Sequence, residues 1–277
     1  MSMIRSVNPG ALKPDEVAGY VIEPALKASV FAQAATQMPF ASANLRIPKV
    51  QDGSAAWTAE GTEIGVSDAV IGEIVAPAKA IKSLTFLSNE LVADGNPGTL
   101  DLIGNGAARE IAAQLDLAAF GATTEHGPAG IESVVGTQAL ADTSDLANLD
   151  DIKALIAQVQ ASGYSPDVLV ATPAVFARLA VLKESAGSNR DLLQPDATAA
   201  NGYRVAGLNI LVSKHVEENR IHIWDSTMVI LGVRQDAELV TSTDAAFSSD
   251  RTSVRAVARF AIAFPAPEAI GSLTVAA

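Results

Sequence analysis

Between Leu100 and Ala118 an apolar residue returns every third or fourth position, through Ile103, Ala107, Ile111 and Leu115. That period is helical and Gly121 closes it, so the spacing predicts one helix of about 22 residues, a rod of roughly 33 Å. Gly104 and Gly106 fall inside it and are expected to weaken or bend its first turns. A second helical face carries Ile152, Leu155, Ile156 and Val159, opens on Asp150 and Asp151, and stops at Gly163. A third starts with Thr172 as N-cap and Pro173 at the first helical position, and it carries Phe176, Leu179 and Leu182. The first 45 residues, interrupted by Pro9, Pro14, Pro24 and Pro39, read as an extended arm containing one helical piece, "PALKASVFAQAATQ".

Elsewhere the pattern is that of strands. Residues 46–82 read as strand, glycine-rich tip and strand, "NLRIPKV" leaving and "APAKAIKSLTFL" returning. Two limbs of about sixteen residues would reach on the order of 50 Å, beyond the radius of a compact domain. The tip holds Trp57, Glu60, Glu63 and Asp68, with no lysine or arginine between Ala55 and Glu73. An isolated hairpin is marginal in water, so burial of Trp57 must come from the rest of the subunit or from another chain. "DVLVA", "VAGLNILVS", "RIHIWD" and "MVILGV" read as further strands, which with the later helices describe α/β layers. In "RTSVRAVARFAIAF", Ala256, Ala258, Phe260, Ile262 and Phe264 share one face, and Arg255, Val257 and Arg259 the other.

Composition narrows the function. The 277 residues are 49% hydrophobic, enough for one large domain or two modest ones. Nineteen basic against 31 acidic residues leave a formal charge of -12, which argues against a protein built to grip phosphates. With no cysteine, disulfides, thiolate zinc sites and cysteine nucleophiles are excluded. "MSMIRSVNPGALKP" lacks the apolar run of a signal peptide, and Pro265, Pro267, Glu268 and Gly271 interrupt the apolar C-terminal stretch. A soluble protein with no membrane contact is expected.

Taken in order, the arm, the long hairpin, "SLTFLSNEL", the long helix, "GPAGI", the "TPAVFARLAVLKE" helix, "GLNILVS" and the arginine-bearing strand ending "FPAPEA" resemble a tailed-phage major capsid protein. The resemblance runs from about residue 20 to the end and implies an α+β, HK97-like capsid fold. It implies an N-terminal arm (1–45), an extended β-hairpin loop (46–82), and a peripheral domain (83–124 and 229–261) with a spine helix at 99–120. The remaining residues, 125–228 and 262–277, would form an α/β axial domain.

The function implied is self-assembly, through pentamers and hexamers, into the icosahedral head that encloses double-stranded DNA. Trp57 and the hairpin would then lie over an adjacent subunit. Some members of the family weld their shells through a lysine in this loop and an asparagine in the peripheral domain. Here no lysine occurs between Lys49 and Lys79 and no asparagine after Asn219, so a non-covalent shell is expected. The length before the loop leads to the expectation of a separate scaffolding protein. A portal and a decoration protein are further implied partners, and packaged DNA would be met only by weak, non-specific contact. The implied location is the virion, assembled in the bacterial cytoplasm. An encapsulin-type nanocompartment and a monomeric α/β enzyme are the alternative readings.

The candidate chemistry is one of contact. Arg251, Arg255 and Arg259 are read as pairing with acids within or between subunits, the competing reading being contact with DNA. Glu60, Glu63, Asp68 and Glu73 are read as partners of a neighbour's arginines, the competing reading being a cation site at the loop tip. His126, His215 and His222 show no ligand spacing and are expected to be ordinary surface or interface histidines. "GNGAARE" lacks the third glycine of a dinucleotide fingerprint and has no strand leading into it. No catalytic residue, cofactor or metal is expected.

Overall fold

The period-3.6 stripe becomes α3, Gly98–Phe120, and the two sheets of the chain are arranged about it. The computed structural model describes residues 22–51, 57–58, 61, 70–90, 98–140, 143–185, 188–193, 203–234 and 238–276. Helix α3 passes through Gly104 and Gly106 without interruption. Its buried residues include Ala108, Ile111, Ala112 and Leu115, and Ala118, Ala119 and Phe120 at its end. Packing of that face offsets what the two glycines cost in backbone entropy.

The segment read as one N-terminal helix is two, α1 (Glu23–Ala28) and α2 (Val30–Ala34), followed by strand β1 (Thr36–Phe40). The break is at Ser29, whose backbone is extended and whose hydroxyl accepts from Ala32 N. Asp116, buried on α3, completes the cap. Its Oδ1 accepts from Ser29 Oγ at 2.6 Å and Phe31 N at 3.0 Å, and its Oδ2 from Val30 N at 3.0 Å. A carboxyl facing the free N–H groups of a helix start satisfies donors that would otherwise be buried alone. Asp116→Ala should therefore lower unfolding stability by about 2–3 kcal/mol, read by chemical denaturation of the subunit. Asp116→Asn should retain part of it, since one amide oxygen still accepts.

One sheet combines β1 with β4 (Lys79–Ser88), β10 (Ile230–Arg234), β11 (Glu238–Ala246) and β12 (Arg251–Ala263). The thirteen residues of β12 form its axis, with β10 and β11 along one edge and β4 along the other. Ala256, Ala258, Phe260 and Ile262 are buried, as the alternation requires, and they join the core that contains α3. β1 extends this sheet by pairing in parallel with β10. Two further strands, β2 (Asn44–Gln51) and β3 (Val70–Pro77), form an antiparallel ribbon in register Asn44↔Pro77 to Gln51↔Val70. Leu45, Ile47 and Ala76 at the ribbon's base are buried against Ile230, Ala261 and Ala263.

The second sheet runs β5 (Gln138–Ala139), β13 (Ile270–Thr274), β9 (Arg220–Trp224), β6 (Val168–Ala171), β8 (Leu208–Val212) and β7 (Arg204–Val205). "VAGLNILVS", read as one strand, is a hairpin: Ala206 and Gly207 both take positive φ, 49° and 88°, the requirement of a tight two-residue turn. Helix α4 (Asp150–Ala161) starts on its two acids without a side-chain cap and is followed by Gly163 at φ 89°, while α5 (Pro173–Ala180) is capped by Thr172, which accepts from Val175 N at 3.3 Å, and ends before Leu182.

The two sheets meet in one core. Trp224 of β9 packs between Phe31 and Phe120, with ring centroids 6.5 Å away in each case, and donates from Nε1 to Ala34 O at 2.8 Å. Phe31 and Phe120 meet edge to face at 5.7 Å.

Candidate functional site

The ribbon and the outer face of the five-stranded sheet carry the residues picked out in the sequence. Strand alternation puts Leu45, Ile47, Ile74 and Ala76 toward the protein and Arg46, Ile71, Glu73 and Val75 outward. Ile71 and Val75 are exposed, and Trp57, beyond the strands, is completely exposed. No described residue of the subunit covers the indole. Glu60, Glu63 and Asp68 lie outside the described residues. Glu73 pairs with Arg46 across the ribbon at 3.1 Å, so this acid of the expected tip group is engaged within its own chain. The pair is exposed and contributes little to stability.

On β12, Arg251 and Arg255 are exposed and Arg259 is half-buried, all on the face opposite to Ala256, Ala258 and Phe260. The register sets Arg255 beside Leu84 and Val240, Arg251 beside Ser88, and Arg259 beside Ala80. Lys82, Leu84 and Phe86 of β4 therefore share the arginine face, and all three are exposed. The apolar members of this surface were not singled out from sequence. Their signal is the period-two placing of Lys82, Leu84 and Phe86, which points them away from Ser83, whose hydroxyl donates to Glu110 of α3 at 3.2 Å. The result is an apolar strip bordered by cations, set on a rigid sheet, and its chemistry is recognition rather than bond making.

The histidines divide. His126 is exposed at φ 59°, 3.5 Å from the equally exposed Glu125. His215 receives no titratable partner among the described residues, and its N–H donates to Ser213 Oγ. His222, expected at the surface or an interface, is instead buried at 2% exposure, because β9 lies inside a sheet covered on both faces. Its Nε2 is 3.0 Å from Glu132 Oε1, and Arg220 Nη1 is 3.2 Å from Glu132 Oε2. Burial alone would push the Glu132 carboxyl up. Contact with His222 and the charges of His222 and Arg220 outweigh it and hold the carboxyl below its ordinary value.

A concavity of about 510 Å³ lies between the start of β4, α3 and the 124–128 loop, with Ile111 and Leu115 in its floor and Lys79, Glu110 and His126 on its rim. Among the described residues no group of His, Asp and Glu is placed to hold a metal, and no helix is long and apolar enough to cross a membrane.

Comparison with solved structures places this architecture. A structure from Microbacterium phage Oxtober96 superposes with a TM-score of 0.71 at 17% identity, covering 90% of this chain and 91% of that one. The capsid of a native GTA particle gives 0.70 at 16% identity, with coverage of 100% and 95%. A virus-like particle from Pyrococcus furiosus gives 0.62 at 15%, with coverage of 94% and 98%. No curated protein matches by sequence. The family model for the phage capsid family matches residues 10–275. The chain thus belongs to the phage capsid family, with the HK97-like fold of a major capsid shell protein.

Proposed function

We propose that this subunit builds a non-covalent icosahedral shell around double-stranded DNA, each ribbon lying over the Arg251, Arg255 and Arg259 face of its neighbour. The observation that carries the proposal is the exposure of Trp57, Ile71 and Val75, while Leu45, Ile47 and Ala76 at the ribbon's base are buried. Apolar surface of that kind is stabilised only when a second chain removes it from water. Glu60, Glu63 and Asp68 supply the negative charge that the arginine face and Lys82 would match, making assembly weaken with salt. The five-stranded sheet with α3 serves as the peripheral domain and the six-stranded sheet as the axial domain. No residue is assigned a catalytic role. A net charge of -12 keeps contact with DNA weak, so the genome is confined rather than gripped. A separate scaffolding protein directs assembly in the host cytoplasm, and a portal and a decoration protein are the further partners of the shell.

Light scattering with negative-stain microscopy tests this on the intact chain, on a deletion of residues 53–70 and on Arg259→Glu. Closed shells from the intact chain and only capsomers or monomers from both variants are expected, with a single subunit band from boiled particles on denaturing gels. Normal shells from either variant, or ladders of linked subunits, would refute the reading. A second reading with the same fold is an encapsulin-type compartment enclosing protein cargo in place of a genome. Purified native particles containing cargo protein and no DNA would select it.

A further inference from the structure

The end of the long helix is tied to the six-stranded sheet through one carboxylate. Glu132 lies on the turn Ile131–Ser133, between α3 and β5. Its N–H donates to Gly121 O at 3.3 Å and Gly130 N–H to Ala122 O at 3.1 Å, so the turn is folded against the helix end. A Cβ on Gly130 would meet Ala118 O and Gly121 O at 2.2 Å, so no side chain fits between turn and helix. On its other side Glu132 spans Arg220 and His222, two cationic positions on one face of β9. Glu217 lies 3.2 Å from the far side of Arg220. The flanking strands bring no charge to His222, since its register partners are Ser272 of β13 and Val170 of β6. Among the described residues, Glu132 is thus the one acid in contact with His222. Both ring nitrogens of His222 and Oε1 of Glu132 are buried, and the 3.0 Å contact between them is made without a completed hydrogen bond.

We propose that Glu132, Arg220 and His222 form an acid-released latch, in which protonation of Glu132 frees the 121–133 segment and the end of α3 from the six-stranded sheet. A carboxyl held below its ordinary value lends stability at neutral pH and loses it as pH falls through the folded value, which places release below 4.5. Once Glu132 is neutral, the charge attraction that ties the turn to Arg220 across 3.2 Å is lost.

Hydrogen–deuterium exchange on the full chain, corrected for intrinsic rates, tests this at about pH 7 and about pH 3.5. In the parent protein, protection at 121–133 and 220–224 should fall by about tenfold or more on acidification, ahead of the rest of both sheets. Glu132→Gln should show that low protection already at neutral pH, with less than about twofold further change. His222→Gln, which removes the ring that Glu132 contacts, should blunt the acid response. A Glu132→Gln profile matching the parent, or an acid loss spread evenly over both sheets, would overturn the latch. If Glu132→Gln does not fold, an acid response in His222→Gln identical to that of the parent overturns it equally.

Discussion

Trp224→Ala is expected to destabilise the subunit by about 3–5 kcal/mol, a large share of the 5–15 kcal/mol typical of a domain. The indole is completely buried where the two sheets meet, so truncation opens a cavity lined by Phe31 and Phe120 that neither strand nor helix can collapse to fill. It also leaves Ala34 O without its donor at the end of α2. Trp224→Phe keeps most of the ring contact and loses the hydrogen bond, so about 1–2 kcal/mol is expected. Urea unfolding followed by circular dichroism avoids dependence on the lost fluorophore. Equal midpoints for the two variants would show that the aromatic cluster is not what joins the sheets.

Gly130→Ala should be comparably severe, at about 3 kcal/mol or more, for a different reason. The added methyl would stand 2.2 Å from two carbonyl oxygens and 2.8 Å from a third, all backbone of the α3 terminus and its first following residue. Backbone held by helix hydrogen bonds cannot yield as a side-chain tip does, so the 127–131 loop must lift from the helix. Gly163→Ala is the control. Its φ of 89° strains an alanine, but no atom lies within 4 Å of the new Cβ, and about 1 kcal/mol is expected. Thermal unfolding of the two variants side by side checks the contrast, and a smaller loss at Gly130 than at Gly163 would contradict the packing.

Much of the fold was legible because local chemistry and tertiary environment agree. The α3 stripe, the Thr172–Pro173 start of α5 and the alternation of β12 each announce one face to be buried, and each buries it. Where they disagree, the sequence misleads. "PALKASVFAQAATQ" has uninterrupted helical composition, and only Asp116, 87 residues beyond Ser29, makes it preferable to break at Ser29. Asp116 lies next to Leu115 of the apolar stripe, and nothing local marks it as the partner of Ser29. His222 alternates with two isoleucines like a residue on a half-wet strand. It is buried because another part of the chain brings Glu132 and covers that face.

The candidate assembly surface divides in the same way. Trp57 and the arginines of β12 stand out by residue type and period alone, since a tryptophan in a hairpin too thin to bury it and cations on one side of an apolar strand are local facts. Lys82, Leu84 and Phe86 join those arginines only through the β4–β12 register, a pairing between segments more than 160 residues apart in the case of Ser88 and Arg251. Residue type and spacing therefore determined the three longer helices, most strands and the exposed anchor, because those depend on the next few neighbours along the chain. The Asp116 cap, the Glu132 contact with His222 and the mixed apolar and cationic face were decided by tertiary structure alone, because burial and charge partnership are set by groups that sequence distance keeps apart and folding brings within 3 Å or so.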